Sequence, residues 1–349
     1  MPSDDQIGAS HADQCDPRGT SKRKRREQHW ALAFVSAALL LIVATTAAAQ
    51  TSTYIFTPID LPPEARPGAV FLTGINNAGQ IVGWYDDHGL FYSDGSSFTT
   101  IDAPGPPGTF TLGINNTGQI VGCGGSLGGF VYSYSDGTFT TFNVPLEQGY
   151  ACYQGSGIND LGQIVGAYLY TNWEDIYEFH GFLYSAGNFT TIDAPGALDT
   201  YPQGINNAGQ IVGYFDGYGT HGYLFDTDGS YTTIDPPGSS YTWVFGINNV
   251  GQIVGTFFDS TQAHGFLYVG GSVTLIDVPG ALGTNAFAIN DAGQIVVRSG
   301  DETGSSHWFV ATPAQSPDLA RLLGRPSSGQ PNNMMGGSNV FASPAKSNR

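Results

Sequence analysis

One ten-residue pattern occurs six times in the chain and limits its possible folds more than any other feature. The copies begin at Gly74 (GINNAGQIVG), Gly113 (GINNTGQIVG), Gly157 (GINDLGQIVG), Gly204 (GINNAGQIVG), Gly246 (GINNVGQIVG) and Ala288 (AINDAGQIVV). Successive copies are 39, 44, 47, 42 and 42 residues apart. A period of about 40–45 residues is typical of propeller blades that contain four strands.

Each period also contains two further recurring segments, so that one period predicts four strands, which we name a to d in chain order. Strand a leads into Gly-Ile-Asn, strand b contains QIVG, strand c is the HGFLY segment and strand d is the FTTID segment. Asn-Asn-x-Gly predicts a tight a–b hairpin, because Gly accepts a positive φ and Asn bonds its own backbone. Asp-Gly predicts the c–d turn at Asp94-Gly95, Asp136-Gly137 and Asp228-Gly229.

The count of segments favours a closed ring over an open solenoid. The sixth unit stops at Pro313 without its d segment, whereas an unmatched copy of that segment, YIFTPIDLPP, begins at Tyr54. The first strand can therefore complete the last blade and leave no bare sheet edge. The strands are apolar on both faces, as sheets packed between two others are. We predict an all-β fold, a six-bladed β-propeller of four-stranded blades, over residues 50–313.

The charge of the chain excludes one class of partner. The formal net charge is -17, and from residue 51 to residue 313 the basic residues are Arg66 and Arg298. Phosphate backbones are bound by surfaces rich in Lys and Arg, so we predict no nucleic-acid partner.

The N-terminal segment predicts export. A basic cluster before residue 27 precedes the apolar run WALAFVSAALLLIVATTAAAQ, which ends in small residues, as signal peptides do. We predict a signal peptide over residues 1–49, with an uncleaved membrane anchor as the alternative, and an extracellular or periplasmic location. Residues 314–349 are rich in Ser, Pro, Gly and Asn and predict a disordered tail.

Two cysteines remain after the export segment. Cys123 follows strand b of the second blade and Cys152 precedes strand a of the third, so both belong near one face of adjacent blades. In an oxidising compartment such a pair predicts a disulfide.

Repeated polar residues predict local structural roles and no catalytic or metal site. We expect each strand c histidine to bond a neighbouring backbone group, because strand c does not approach the ring axis. The repeated Asn residues, and Asp160 and Asp291 in their place, are predicted turn formers. The Asp that ends strand d is a predicted turn cap, with calcium binding as the alternative; no cofactor is predicted. The histidines are His88, His180, His221, His264 and His307, and the strand d aspartates are Asp60, Asp102, Asp193, Asp235 and Asp277.

Antiparallel strands place the a–b and c–d turns on one face of the ring, which we call the constant face. The b–c and d–a loops lie on the other, which we call the variable face because loop lengths and sequences differ there. Loops on a rigid scaffold collect binding residues, and aromatic rings with carboxylates suit a sugar or a cationic group. The predicted ligand-binding residues are Trp84, Tyr85, Asp86, Tyr168, Trp173, Glu174, Asp175, Tyr177, Tyr214, Asp216, Trp243, Phe258 and Asp259.

The combination of GINNAGQIVG, HGFLY and FTTIDAPG resembles the HAF-repeat family of probable extracellular repeat proteins of bacteria. The resemblance covers residues 54–312 through six copies, although this chain reads His-Gly where the family pattern reads His-Ala. It implies an exported β-repeat protein and transfers no catalytic residue.

Two functions remain open at this point. The first is a non-enzymatic propeller that binds a glycan or a protein through the variable face. The second is a polysaccharide hydrolase or lyase that uses carboxylates of the same face. An enzyme needs two titratable groups within catalytic reach, whereas a binding module needs only an aromatic platform.

Overall fold

A computed structural model of the chain describes residues 54–314, apart from residues 63–64, 67, 94–96, 106–107, 125–127, 143–148 and 172–176. The side chains of residues 149–156, 171 and 177 are also outside the description. The predicted signal peptide, the predicted tail after its first residue, and the Asp94-Gly95 turn lie outside the described residues.

The described residues form six four-stranded antiparallel sheets in a ring, which confirms the predicted six-bladed β-propeller. Blade one contains β2 (Val70–Ile75), β3 (Ile81–Tyr85), β4 (His88–Tyr92) and β5 (Phe98–Ile101). Blade two contains β6 (Thr109–Ile114), β7 (Gln119–Gly124), β8 (Gly128–Ser133) and β9 (Thr138–Phe142). Blade three contains β10 (Gly149–Ile158), β11 (Ile164–Thr171), β12 (Tyr177–Ser185) and β13 (Asn188–Ile192). Blade four contains β14 (Asp199–Ile205), β15 (Ile211–Asp216), β16 (Thr220–Phe225) and β17 (Tyr231–Ile234). Blade five contains β18 (Tyr241–Ile247), β19 (Ile253–Phe258), β20 (Ala263–Val269) and β21 (Ser272–Leu275). Blade six contains β22 (Gly283–Ile289), β23 (Ile295–Gly300), β24 (Ser306–Pro313) and β1 (Tyr54–Pro58).

The first strand closes the ring, as its sequence predicts. β1 pairs antiparallel with β24, with Tyr54 opposite Pro313 and Pro58 opposite Phe309. The Ile59 N–H donates to the Trp308 carbonyl at 2.9 Å, which extends the pairing by one residue. Tyr54 and Ile59 are buried, so the N-terminal strand contributes to the core of the sixth blade.

The repeated pattern forms the hairpin nearest the ring axis because each of its residue types has a separate role. The last Gly of the Asn-Asn-x-Gly turn has a positive φ in all six copies, between 73° and 85°. The Ile and Val that follow are almost fully buried, as Ile81 and Val82 are. The closing Gly is packed against strand a, since a Cβ on Gly83 would lie 2.0 Å from the Phe71 carbonyl oxygen.

The core is distributed between the blades. Phe130, Phe182 and Phe266 occupy equivalent positions of strand c, Phe91 lies one position further along its strand, and all four are buried to 2% exposure or less. Each packs with residues of a neighbouring blade or of its own blade, and the burial of both sheet faces explains the lack of apolar–polar alternation in the sequence.

The innermost strands leave two small cavities on the ring axis. One, of about 60 Å³, is near the constant face and is lined by the repeated Ile, Asn and Asp residues of the a–b turns. The other, of about 70 Å³, is lined by Thr73, Gln203, Phe245 and Phe287 among others. The axis is therefore largely filled by side chains.

Candidate functional site

Partly exposed aromatic side chains form a belt between the blades near the variable face. Phe71 and Trp84 of blade one stack with centroids 4.5 Å apart, and Trp84 contacts Phe110 of blade two edge-on at 5.1 Å. Tyr201 and Tyr214 of blade four stack in the same way at 4.8 Å. These pairs occupy the same register, strand a opposite strand b, so the fold repeats the arrangement in two blades.

The remaining rings extend the Tyr201–Tyr214 pair into a longer series. Tyr214 contacts Trp243 at 6.4 Å, and Trp243 contacts Phe258 at 5.1 Å. Phe245 contacts Phe287 at 5.1 Å, and both line the axial cavity on this side of the ring. We call the whole set the aromatic belt: Phe71, Trp84, Phe110, Tyr201, Tyr214, Trp243, Phe245, Phe258 and Phe287.

The tyrosines of the belt keep their protons. Burial, with a smaller effect from the Asp216 charge, raises the pKa of Tyr214 to about 12. Burial also raises the pKa of Tyr201. Both hydroxyls are therefore neutral hydrogen-bonding groups at physiological pH.

Arg298 lies beside the belt and was not predicted as a functional residue. Its guanidinium carbon is 5.3 Å from the centre of the Phe71 ring and 6.0 Å from that of Trp308, and one terminal nitrogen donates to Ser306 Oγ at 2.7 Å. Within the described part of the chain no carboxylate lies within ion-pair distance of it. The sequence marks Arg298 only by its rarity, because the chain has just two basic residues between residues 51 and 313.

Gln203 is a second polar group that sequence reasoning missed. The residue lines the axial cavity that Phe245 and Phe287 also line, and its buried Nε2 atom has no hydrogen-bond partner among the described residues. Buried polar groups in native proteins are usually hydrogen-bonded, so this amide has hydrogen-bonding capacity that the described residues do not use.

The structure separates the predicted ligand-binding aromatic residues into two groups. Trp84, Tyr214, Trp243 and Phe258 belong to the aromatic belt and are partly exposed. Tyr85 and Tyr168 lie on the opposite side of strand b and pack in the core clusters that their blades share with the preceding blade. They are 7% and 8% exposed, so they contribute to packing and are not available to a ligand.

The predicted acids that the structure describes are each bonded to nearby side chains or backbone groups. Asp86 forms an ion pair with Arg66, and Asp216 accepts a hydrogen bond from Thr220 Oγ1 at 2.6 Å. Asp259 accepts hydrogen bonds from Thr261 and Gln262, and the Thr261 hydroxyl contributes most to lowering the pKa of its carboxyl group. These three carboxylates belong to blades one, four and five, and the structure does not bring them together.

Several predictions fall on parts of the chain that are not described. Trp173, Glu174 and Asp175 lie outside the described residues, as does the side chain of Tyr177. Cys123 is partly exposed in β7, but the Cys152 side chain is outside the description, so the disulfide stays a prediction.

The strand c histidines bond carboxylates and not backbone groups, which corrects the prediction. The Nδ1 atom of His88 lies 2.8 Å from Asp102, and the equivalent atom of His264 lies 2.7 Å from Asp277. The same pairing joins His180 to Asp193 and His221 to Asp235. His307 differs, since its Nε2 atom contacts Asp301 at 2.8 Å.

The strand d aspartate is thus a partner for histidine. Asp193 and Asp277 also accept the backbone N–H of Gly181 and Gly265, at 3.3 and 3.1 Å, so one carboxylate joins both strands. In the described residues no group of three or more His, Cys, Asp or Glu is arranged to hold a metal ion.

The a–b turns of the constant face form a hydrogen-bonded ring that the sequence did not predict. The Nδ2 of Asn76 donates to the carbonyl of Asn115 in the next blade, and this bond recurs six times at 3.0–3.2 Å. The following residue adds an outer ring, in which each backbone N–H donates to the next blade's side-chain oxygen at 2.7–2.9 Å. The repeated Asn is therefore a turn former, as predicted, and also an inter-blade bond.

One further finding concerns the membrane. Among the residues that the structure describes, no helix has the length and apolar character needed to cross a bilayer.

Comparison with known proteins finds solved structures that are similar to this chain. No family model matches the chain, and no curated protein matches it. Similar solved structures include the β-propeller domain of the Trilobed protease from Pyrococcus furiosus, with 12% identity over 72% of this chain and 82% of that chain and a TM-score of 0.47. AofleA from Arthrobotrys oligospora, as a mutant, shows 13% identity over 74% and 86% with a TM-score of 0.45. TolB from Acinetobacter baumannii shows 13% identity over 64% of this chain and 59% of its own, with a TM-score of 0.42. The match thus spans less than two thirds of TolB, and at these values none of the three says anything about function.

Proposed function

We propose that the protein is an exported propeller of the HAF-repeat type that binds carbohydrate through its variable face without cleaving it. The observation that carries this proposal is the aromatic belt, a series of partly exposed rings beside the axial cavity. Aromatic rings offer large rigid surfaces on which the apolar faces of sugars can lie. The export-like N-terminal segment supports a location where polysaccharides are met.

The arrangement of the rings favours a sugar over a protein partner. The belt side chains stand between blades and are exposed only in part, so a ligand must be thin enough to enter the spaces beside them. Protein interfaces commonly bury about 800 Å² on each partner and use a broad patch. A sugar ring needs only one or two aromatic faces and a few polar groups such as the Gln203 amide.

The three predicted acids that the structure describes support binding more than cleavage. Glycoside hydrolysis requires two carboxyl groups about 5–9.5 Å apart, one of them able to donate a proton. Asp86, Asp216 and Asp259 lie in three different blades; Asp86 pairs with Arg66 of the segment before β2, and Asp216 and Asp259 are bonded within their own loops. The pKa of Asp259 is lowered by its hydrogen bonds, which keeps it ionised and unsuited to the role of general acid.

A glycan array combined with product analysis tests the proposal. We expect the purified protein to be retained on a subset of polysaccharides without release of oligosaccharide. Trp84→Ala and Trp243→Ala each remove a partly exposed ring, and we expect either change to weaken binding about tenfold or more, which corresponds to roughly 1.4 kcal/mol.

Tyr134→Ala is the matched control, because Tyr134 is a partly exposed ring that follows strand c on the constant face. It should leave retention unchanged. Release of oligosaccharide would show an enzyme, and retention on a protein partner alone would show a different binding module. Equal loss of binding in all three variants would also contradict the assignment to the variable face.

A further inference from the structure

We propose that the ligand of the variable face is a largely neutral glycan that carries an isolated anionic group, bound by Arg298. This rests on the carbohydrate binding proposed above and names the class of sugar. The anionic group is an oxyanion, either a carboxylate on the sugar or a sulfate ester, since both present paired oxygens to a guanidinium fork.

The first argument is that Arg298 is held in place but is not neutralised. Its side chain is partly buried, and the flat guanidinium lies against Phe71 and Trp308 with a single hydrogen bond to Ser306. A guanidinium has five N–H donors, and the described residues use one of them. The group is therefore fixed in orientation while most of its donors remain available.

The second argument is energetic. Taking a charge out of water without a partner is unfavourable, and proteins normally place a carboxylate beside such a group. Acidic residues are abundant here, with 29 Asp and Glu against 12 Lys and Arg. Among the described residues none of these acids lies within ion-pair distance of Arg298, although acids hold Arg66 and five histidines on the same molecule.

The third argument concerns position. Arg298 lies in β23, in the register that Trp84 occupies in blade one and Tyr214 in blade four. It contacts Phe71, which stacks on Trp84, so the guanidinium and the belt form one surface. An anion bound by Arg298 would place the sugar that carries it against these rings.

The net charge determines how many anionic groups the ligand can carry. A chain of formal charge -17 repels polyanions over a distance of about 8 Å at physiological ionic strength. Arg298 offers one cationic contact, which cannot offset that repulsion for a polymer charged at every residue. A single acidic group among neutral sugars meets the guanidinium without this cost.

Matched oligosaccharides test the inference. The array should contain neutral glycans, the same glycans with one hexose C6 oxidised to a carboxylate, and the same glycans with one sulfate ester. We expect the protein to prefer one of the two anionic forms over the neutral form by tenfold or more. Arg298→Gln should abolish that preference and leave weak binding of the neutral form, whereas Arg298→Lys, which keeps the charge but loses the fork, should retain part of it.

Arg66→Gln is the control, because it removes the same charge from an exposed side chain that pairs with Asp86. It should leave the preference unchanged within about twofold. Should Arg298→Gln fail to fold, as a melting curve would show, inhibition of the unaltered protein by sodium glucuronate or glucose 6-sulfate, but not by glucose, gives the same information.

The outcomes separate the two proposals. Equal binding of neutral and anionic glycans overturns the role of Arg298 while carbohydrate binding stands. Absence of binding to every glycan overturns both. Strong preference for fully charged polyuronates overturns the argument from net charge.

Discussion

The His–Asp pairs show how one residue position can hold two strands of a blade. In four blades the imidazole also lies against an aromatic ring of strand b, as His264 does on Phe257 with centroids 5.1 Å apart. The carboxylate of Asp277 forms one hydrogen bond with the imidazole of His264 and accepts another from the Gly265 N–H. The pair thus replaces a backbone bond at the end of strands c and d.

His264 gives a prediction of pH dependence. Burial lowers the pKa of His264, but the hydrogen bond and charge of Asp277, together with Asp259, outweigh burial and raise it overall. A histidine whose folded pKa exceeds its unfolded value, about 6.5, stabilises the fold below that value and loses the effect as the pH rises through the folded pKa. We expect His264→Gln to lower the Tm more at pH 5.5 than at pH 8.5.

Thermal unfolding of both proteins at the two pH values measures this effect. The lowered pKa of Asp259 acts only in the acid range, so it does not change between pH 5.5 and 8.5. A difference in Tm that is the same at both pH values would show that the imidazole contributes through packing alone.

The pairing of His with Asp could have been read from the sequence with the strand register. Gly89 faces Ile101, so His88 and Asp102, one residue outward on each strand, must face each other. The HG and ID residues recur together in the repeat, but a single strand considered by itself does not show which residue lies opposite. Arg298 was missed for a different reason, because it belongs to one blade and no repeat marks it.

The a–b hairpin is the element whose contacts extend furthest around the ring. Its outer positions are Asn in blades one, two, four and five and Asp in blades three and six, so that the two carboxylates stand on opposite sides of the axis. Asp160 Oδ2 accepts the Nδ2 of Asn116 at 2.9 Å and that of Asn207 at 2.8 Å. Asp291 serves Asn249 and Asn77 in the same way.

Asp160→Asn tests the value of this arrangement. Burial raises the pKa of Asp160, but the bonds from Asn116 and Asn207 prevail and lower it overall. An Asn side chain could still accept one N–H, but its own NH₂ would face two other donors. We expect the free energy of unfolding to fall by about 1 kcal/mol, a value that allows for the partial exposure of Asp160. The change also relieves the repulsion between Asp160 and Asp291, but this gain is smaller than the loss of the hydrogen bonds.

Urea unfolding at pH 7 provides the measurement, and Asp87→Asn is the control. Asp87 is exposed on the variable face, so this change removes one negative charge without touching the ring. Equal stability of the two variants would mean that the ring of turns does not depend on its carboxylates. Because the folded pKa of Asp160 is lowered, its contribution should also fade as the pH falls toward the acid range.

The strands and turns were predictable because the sequence pattern that indicates them occurs six times. Asn-Asn-x-Gly indicated hairpins, and the positive φ of Gly79 and its equivalents confirms them. The bonds between hairpins were not predictable in this way, since Asn76 reaches Asn115 only after the blades are placed side by side. Burial of Tyr85 and Tyr168 likewise depends on which side of strand b faces the next blade.

At the scale of the molecule, stability depends on closing the circle. Contacts join each innermost strand to its neighbours, including β2 to β22, and the bond from Asn290 Nδ2 to the Asn76 carbonyl joins the last blade to the first. The ring is completed a second time at its outside, where β1 pairs with β24. The sequence predicted this closure because counting segments is independent of side-chain detail.

A variant that lacks residues 51–60 tests the closure. It removes β1 and with it the buried side chains of Tyr54 and Ile59, and each buried apolar side chain contributes about 1.5–3 kcal/mol. We expect the Tm to fall by roughly 10 °C or more, and the exposed edge of β24 to promote self-association.

A synthetic peptide of residues 51–62, added to the truncated protein, should restore the Tm as its concentration rises, because it binds only the folded ring. A peptide with Ile59 replaced by Asp should fail to do so, since Ile59 packs in the core between blades six and one. If truncation leaves the Tm unchanged, or both peptides restore it equally, the N-terminal strand does not hold the ring closed.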